Sequence, residues 1–274
     1  MNVLVMNLVV VAVLMVLVWV VSVVFRDASI VDIVWGFGFV VVAWSSWIGS
    51  DSTEVADLVI RLCVTVWGLR LAMYLAWRNI GKGEDYRYQA MRKKYGSRFP
   101  LVSLVSVFLL QGVLMWIVSL PVQLTHVVDG QSSPMVAIGV VLWAVGVMFE
   151  SVGDAQLARF KARPENAGKV MRSGLWRYTR HPNYFGDFLA WWGIGVASLA
   201  GWSSVVGLLG PVVMSVLLMR VSGVPMLEHS IAKRSLFLSS RCIRERSEIA
   251  RNASAASSHA SSEIAMRPRR QSES

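Results

Sequence analysis

Apolar residues fall into seven blocks along this chain, and the polar residues gather between them. The blocks are 3–25, 30–48, 55–77, 101–122, 135–157, 183–200 and 203–221. Each approaches the ~20 residues that a helix needs to cross a bilayer. Turn or charge signals separate them, among them Asp51-Ser52-Thr53-Glu54, Asp129-Gly130 and Gly201-Trp202. The pattern predicts an all-α fold, a polytopic membrane bundle of about seven transmembrane helices. No internal repeat is visible, which argues against the repeat-built transporter folds.

Composition agrees with the pattern. Of 274 residues, 55% are hydrophobic and only 16% charged, with a mean hydropathy of +0.53, against about a quarter charged in ordinary soluble domains. Met1 to Phe25 lacks a basic leading segment and reads as a span rather than a cleavable signal. The net charge of +10 would suggest nucleic acid in a soluble protein; here it predicts membrane loops. Residues 78–98 carry seven basic side chains, from Arg78 to Arg98, against Glu84 and Asp85. Residues 159–180 carry seven more, from Arg159 to Arg180, against Glu165 alone. The segments 50–54 and 123–134 contain no Lys or Arg. This alternation predicts the N-terminus outside, and both basic loops and the C-terminus in the cytoplasm. The expected location is a cell inner membrane or one of endoplasmic-reticulum type, with membrane lipids as neighbours and no nucleic-acid partner. Cys63 and Cys242 make neither a disulfide framework nor a metal spacing, and His126, His181, His229 and His259 are scattered, so no metal is expected.

An ionisable side chain inside a span costs a few kcal/mol even on lenient scales and points to function. In the third block Trp67, Arg70, Tyr74 and Arg78 share one helical face, while Arg61 lies about half a turn away. In the fifth, Glu150 and Asp154 are one turn apart, and Lys161 shares their side if the helix continues. In the sixth, Pro182 suits a first helical turn, and Asn183, Asp187 and Trp191 form a stripe. The bland alternatives are snorkelling for Arg78 and Lys161 and belt or core packing for Tyr74 and Trp191. Arg70 and Asp154 resist such readings, since each needs a partner. Acid, base and amide on three helices predict a polar pocket at the cytoplasmic mouth.

The stretch GLWRYTRHPNYFGD (174–187), followed by WWG, resembles the C-terminal signature of the membrane steroid 5-alpha-reductase and sterol reductase superfamily, in particular its bacterial steroid-reductase-like members. DIVWGFGF (32–39), WGLRLAMYLAWR (67–78), EDYRYQAMRKKYG (84–96), LLQG (109–112), GDAQLARFK (153–161) and SGVPMLE (222–228) extend the likeness over roughly 30–234. The resemblance implies a seven-helix bundle that binds NADPH at its cytosolic side and takes a lipophilic substrate from the membrane. It implies cofactor contacts for Asn183 and Asp187, from the Asn-(Tyr/Phe)-x-Gly-(Asp/Glu) motif, for Asp154 and Lys161 on the preceding helix, and for Arg70 in an Arg-x-x-x-Tyr pattern; Arg180 joins them at the mouth. Arginine forks and lysines suit phosphates, and carboxylates with an amide suit ribose hydroxyls and a carboxamide. Reduction of an enone also needs a hydrogen-bond donor at the carbonyl oxygen. Tyr74, Tyr86, Tyr88 and Tyr184 are the candidate hydroxyls, with Tyr74 and Tyr184 foremost, and Asp32 or Glu84 is the candidate acidic partner.

RYTRHPNYFG also resembles the membrane isoprenylcysteine and phospholipid methyltransferases, which use S-adenosylmethionine, and Arg180-His181-Pro182 fits that family well. Asn183 with Asp187 and the strongly basic mouth favour the reductase. A channel, scaffold or transporter is the third class; the charges cluster at one mouth instead of lining a path. After Arg234 the composition breaks: residues 235–274 hold eleven serines and seven arginines but no valine, glycine, tryptophan or tyrosine. The sequence divides into a membrane domain over 1–234 and a tail over 235–274 expected to be disordered. The family's usual aromatic continuation is missing there, as a shifted reading frame near residue 234 would produce.

Overall fold

A computed structural model describes residues 2–50, 54–125, 133–200 and 202–221. The segment SGVPMLE, the tail, Cys242, His126, His229 and His259 lie outside the described residues. Every regular element among the described residues is helical. The first three are α1 (Val3–Phe25), α2 (Ile30–Ile48) and α3 (Val55–Asn79), close to the first three apolar blocks. α1 buries Asn7, Val11, Met15, Val18 and Ser22, a three-and-four spacing that sets one seam against the bundle. Its other faces leave Val5, Val9, Val13, Leu17, Val20 and Val24 exposed, as a surface solvated by lipid requires. Arg26 closes the helix in the left-handed region at φ 54°, and Asp27 Oδ1 accepts from the Ser29 amide, turning the chain into α2.

The basic segment read as a loop contains a helix, α4 (Tyr86–Tyr95), capped by Asp85, whose carboxylate accepts from the Arg87 amide. Helical turns then continue through α5 (Phe99–Ser103), a wider π turn at Leu104–Leu109 and α6 (Leu110–Val118). The helix stops at Ser119 because Pro121 opens the next one, α7 (Leu120–Leu124). α8 (Ser133–Lys161) carries its helix to Lys161, and α9 (Pro182–Ala197) opens with proline at its first position. A 3-10 turn at Trp202–Leu208, α10 (Leu209–Val216) and a π turn at Leu217–Val221 follow. Among the described residues five helices are long and apolar enough to cross a membrane: Val3–Phe25, Ile30–Ile48, Val55–Asn79, Tyr86–Val118 and Pro134–Lys161. The last two predicted blocks form shorter helical pieces, α9 and Ser204–Arg220. With so much apolar surface facing outward, the chain is an integral membrane protein.

Two glycine seams draw the helices together. A side-chain carbon at Gly36 of α2 would fall 2.5 Å from the Gly68 carbonyl oxygen of α3, and one at Gly68 would fall equally close to that of Gly36. Along α8, Gly139, Gly146 and Gly153 recur every seven residues; Gly139 faces Gly193 of α9, Gly146 faces Gly186, and Gly153 abuts Pro182 and Asn183. A Cβ on Gly146 would meet Ala190 N at 2.5 Å, and one on Gly186 would meet Glu150 N at 2.5 Å. This heptad of small residues lets α8 and α9 touch backbone to backbone. It sets Glu150 and Asp154 beside Asn183 and Asp187. Above them the rings of Phe39, Trp67 and Trp191 pack with centroids 4.7–5.5 Å apart, Trp67 edge to face with both and Phe39 tilted against Trp191.

Candidate functional site

The site forms where α3 meets the α8–α9 pair. From α3, the Arg70 guanidinium forks across one turn of α8: one amino group bonds Asp154 Oδ2 at 3.0 Å, and the other bonds both Glu150 Oε1 and Asp154 Oδ2. One turn earlier on α3, Trp67 Nε1 donates to Glu150 Oε2 at 3.0 Å. From α9, Asn183 Nδ2 donates to Asp154 Oδ1 at 3.2 Å. Glu150 and Asp154 therefore accept on both oxygens, although their side chains are only 5% and 7% exposed. Three buried polar atoms at the same place have no partner among the described residues: Asn183 Oδ1, Asp187 Oδ1 and Arg70 Nε. Unmet buried polar atoms of this kind cost ~1–3 kcal/mol each.

A cleft of about 430 Å³ opens from Arg70 and Asp154 between α3 and α8, bordered by Tyr74, Trp77, Ala155 and Arg159. Arg70 and Arg78 lie 6.0 and 5.6 Å from the Tyr74 ring. Tyr184 stacks on His181 at 5.5 Å and lies near enough to Asp154, Asp187, Arg78 and Arg87 to feel their charges. The expected residues Arg70, Tyr74, Asp154, Asn183, Tyr184 and Asp187 thus collect around one cluster. Lys161 ends α8, and Arg180 stands just before α9; both are exposed, and neither lines the cleft.

Glu84 has a different setting. Its carboxylate takes the Arg92 guanidinium at 2.8 and 3.0 Å and the Ala28 amide at 3.0 Å, tying α4 to the corner between α1 and α2. Burial opposes its charge, yet the Arg92 and Ala28 hydrogen bonds outweigh burial and hold the carboxyl below its ordinary range. Asp85, likewise opposed by burial, is held low by Arg87. The acid that meets a tyrosine is Asp32: Tyr88 Oη donates to it at 2.8 Å, and Arg87 pairs with it at 2.7 Å. The residues that sequence reasoning missed bind the loop before α9. Gln156 Oε1 accepts from the Leu175 amide at 3.0 Å, and Trp176 Nε1 donates to the Gly153 carbonyl at 3.0 Å. Those bonds fix the approach to Asn183. Among the described residues no cluster of three or more His, Cys, Asp or Glu suits a metal ion.

The fold is an all-helical membrane bundle with a buried, hydrogen-bonded charge cluster at one end. Residues 18–237 match the model of the family described as "Protein of unknown function (DUF1295)", and the chain belongs to that family. It is similar to 3-oxo-5-alpha-steroid 4-dehydrogenase 1 of Bos taurus, 32% identical over 80 residues, 28% of this chain and 31% of that protein. The human protein of the same name is 32% identical over 70 residues, 26% of this chain and 27% of its own length. A probable O-methyltransferase ustE of Ustilaginoidea virens is 36% identical over 70 residues, 26% of this chain and 24% of its length. The chain thus spans less than a third of these relatives. No solved structure matches.

Proposed function

We propose that this protein is a membrane-embedded, NADPH-dependent reductase of a carbon–carbon double bond in a lipophilic, steroid- or terpenoid-like substrate. The observation that carries the reading is the α3–α8–α9 cluster, with its unmet atoms on Asn183, Asp187 and Arg70 beside a cleft lined by Arg159 and Trp77. These residues fit the dinucleotide. Asn183 and Asp187 offer an acceptor and a carboxyl to a carboxamide or ribose hydroxyls, Asp154 orients Asn183, and Arg70 Nε offers a further donor. Arg159, Lys161 and Arg180 supply cations for phosphates. With the basic end facing the cytoplasm, the cofactor enters from water and the substrate from lipid.

When bound, the dinucleotide supplies hydride. The chain's own part is to orient, to exclude water and to polarise. The Phe39–Trp67–Trp191 wall keeps the inner end dry, and the fork of Arg70 fixes Glu150 and Asp154 against movement. Tyr184 and Tyr74 are the hydroxyls at the cluster that donate to a substrate oxygen, strengthening its hold on charge that builds during reduction. The Glu84 carboxyl serves the clamp with Arg92 that positions α4. The relatives named 3-oxo-5-alpha-steroid 4-dehydrogenase suggest a 3-oxo-4-ene steroid as the first substrate to try.

A second reading is an S-adenosylmethionine-dependent methyltransferase. The ustE relative favours it, and so does the excess of buried carboxylates over Arg70, which suits a sulfonium. Purified protein in detergent, given NADPH and a 3-oxo-4-ene steroid, is expected to deplete NADPH absorbance and form the saturated ketone. Methyl transfer from S-adenosylmethionine to a lipid acceptor, with no NADPH consumed across a panel of enones and quinones, would replace the reductase reading.

A further inference from the structure

The basic segment that carries α4 turns its acids inward. Glu84 takes Arg92 and the Ala28 amide, and Asp85 takes Arg87, which also pairs with Asp32 of α2. The Asp85 amide donates to Ser29 Oγ at 2.6 Å, and Tyr88 and Met91 pack into the core. These contacts pin one face of α4 against the corner between α1 and α2. The opposite face is exposed: Tyr86, Gln89, Ala90, Lys93 and Lys94 follow one another along it at helical spacing. Lys94 lies 5.2 Å from the Tyr95 ring. Lys82 before the helix and Arg98 after it are exposed as well. Among the described residues no ion pair engages Arg78, Lys82, Lys93, Lys94 or Arg98. These cations therefore stand on a pinned helix whose own acids are already neutralised. Beside them Trp77 and Ile80 are 70% and 72% exposed. Water suits the cations but not those two side chains, and hydrocarbon suits the two but not the cations. A bilayer interface accommodates both, with indole and isoleucine at the acyl boundary and cations among phosphates. The chain places α4 there, since α3 ends at Asn79 just before it and apolar helical turns run on from Phe99 just after it.

We propose that the outward face of α4, with its flanking turns, is a docking surface for the anionic phospholipid headgroups of the surrounding bilayer. Lys82, Lys93, Lys94 and Arg98 take the phosphates, and Tyr86 and Tyr95 lie at headgroup depth beside them. None of these residues belongs to the α3–α8–α9 cluster, so the surface is independent of the reductase reading. A nucleic acid or an acidic protein would answer the cations but leave Trp77 and Ile80 uncovered. Each cation near an anionic membrane surface strengthens attachment by a factor of about five, and salt screens that attraction. Through Glu84, Asp85 and Arg87, lipid held by α4 also steadies the α1–α2 corner.

Electron spin resonance of the full chain in phosphatidylcholine bilayers tests this, with a trace of spin-labelled phosphatidylglycerol or spin-labelled phosphatidylcholine as the probe. The immobilised fraction of each probe gives the relative affinity for the anionic lipid. The expected result is a several-fold preference for phosphatidylglycerol that shrinks at high salt. K82Q/K93Q/K94Q/R98Q should abolish most of the preference. A charge-matched control in the other basic segment, R163Q/K169Q/R172Q/R177Q, should keep most of it. All eight side chains are exposed, so neither set removes a buried contact. Equal affinity of the wild type for the two probes overturns the docking surface, and a preference that ignores salt overturns the role of the cations. An equal loss in the two variants would assign the preference to net charge alone and overturns the placement on α4. A wild type that binds a labelled RNA oligonucleotide while showing no lipid preference would give the surface to a nucleic acid instead.

Discussion

A lysine at position 70 could not do what Arg70 does. The guanidinium reaches Glu150 and Asp154 together through two amino groups, whereas a single ammonium on a flexible stem meets one carboxylate at a time. Arg70→Ala leaves two buried carboxylates without a counter-charge and is expected to cost ~3–5 kcal/mol, read as a lowered denaturation midpoint in detergent; Arg70→Lys should fall between. Asn183→Ala removes one hydrogen bond to Asp154, about 1 kcal/mol, a small loss of stability beside a large loss of cofactor response. At this scale much of the site is legible in the sequence. The four-residue spacing of Arg70 and Tyr74, of Glu150 and Asp154, and of Asn183, Asp187 and Trp191 places each set on one helical face, and the need of a buried charge for a partner brings the faces together. What the spacing omits is contact between side chains and irregular backbone. Gln156 holding Leu175 and Trp176 holding Gly153 leave no periodic trace, and the pairing of Tyr88 with Asp32 instead of Glu84 depends on how α4 packs.

Between α8 and α9 the helices approach so closely that the seam tolerates only hydrogen at its glycines. Gly146→Leu is expected to force the pair apart and cost about 1–3 kcal/mol or more, and to separate Asp154 from Asn183, so that binding fails along with stability. Val141→Leu, on the outward face of α8 where Val141 is 62% exposed, should leave both unchanged. A thermal melt of the two variants separates the outcomes. The sequence carries the seam openly, since Gly139, Gly146 and Gly153 repeat every seven residues and Gly186 and Gly193 answer them. The helix within the basic segment is less visible: α4 is mostly polar, turns only Tyr88 and Met91 to the core, and keeps its shape with the help of the Glu84–Arg92 clamp and the Asp85 cap. Glu84 and Asp85 have folded values held below their unfolded ones. They therefore stabilise the fold above the unfolded carboxylate range, and that stability disappears as pH falls through the folded values. Glu84→Gln should flatten this acid limb in a stability–pH profile; an unchanged limb would assign it to other carboxylates.

As a whole the molecule is a lipid-facing shell around two polar ends. At one end Asn7 of α1 donates to Ser46 of α2 and Gln123 of α7 at 2.7 and 3.2 Å, and Gln123 donates onward to Ser119. This buried, mutually satisfied knot locks three helices in register, and its members lie too far apart in sequence for spacing to reveal it. At the other end the Arg70 cluster leaves polar atoms unmet. The proposed site lies at this second end, the basic mouth. The central claim is that this mouth holds NADPH, and the most direct measurement is thermal stability of the purified full chain titrated with NADPH and, in parallel, with S-adenosylmethionine. A ligand at 100 times its Kd stabilises by ~2.7 kcal/mol. Stabilisation by NADPH that Asn183→Ala abolishes is the predicted result; stabilisation by S-adenosylmethionine alone would contradict it.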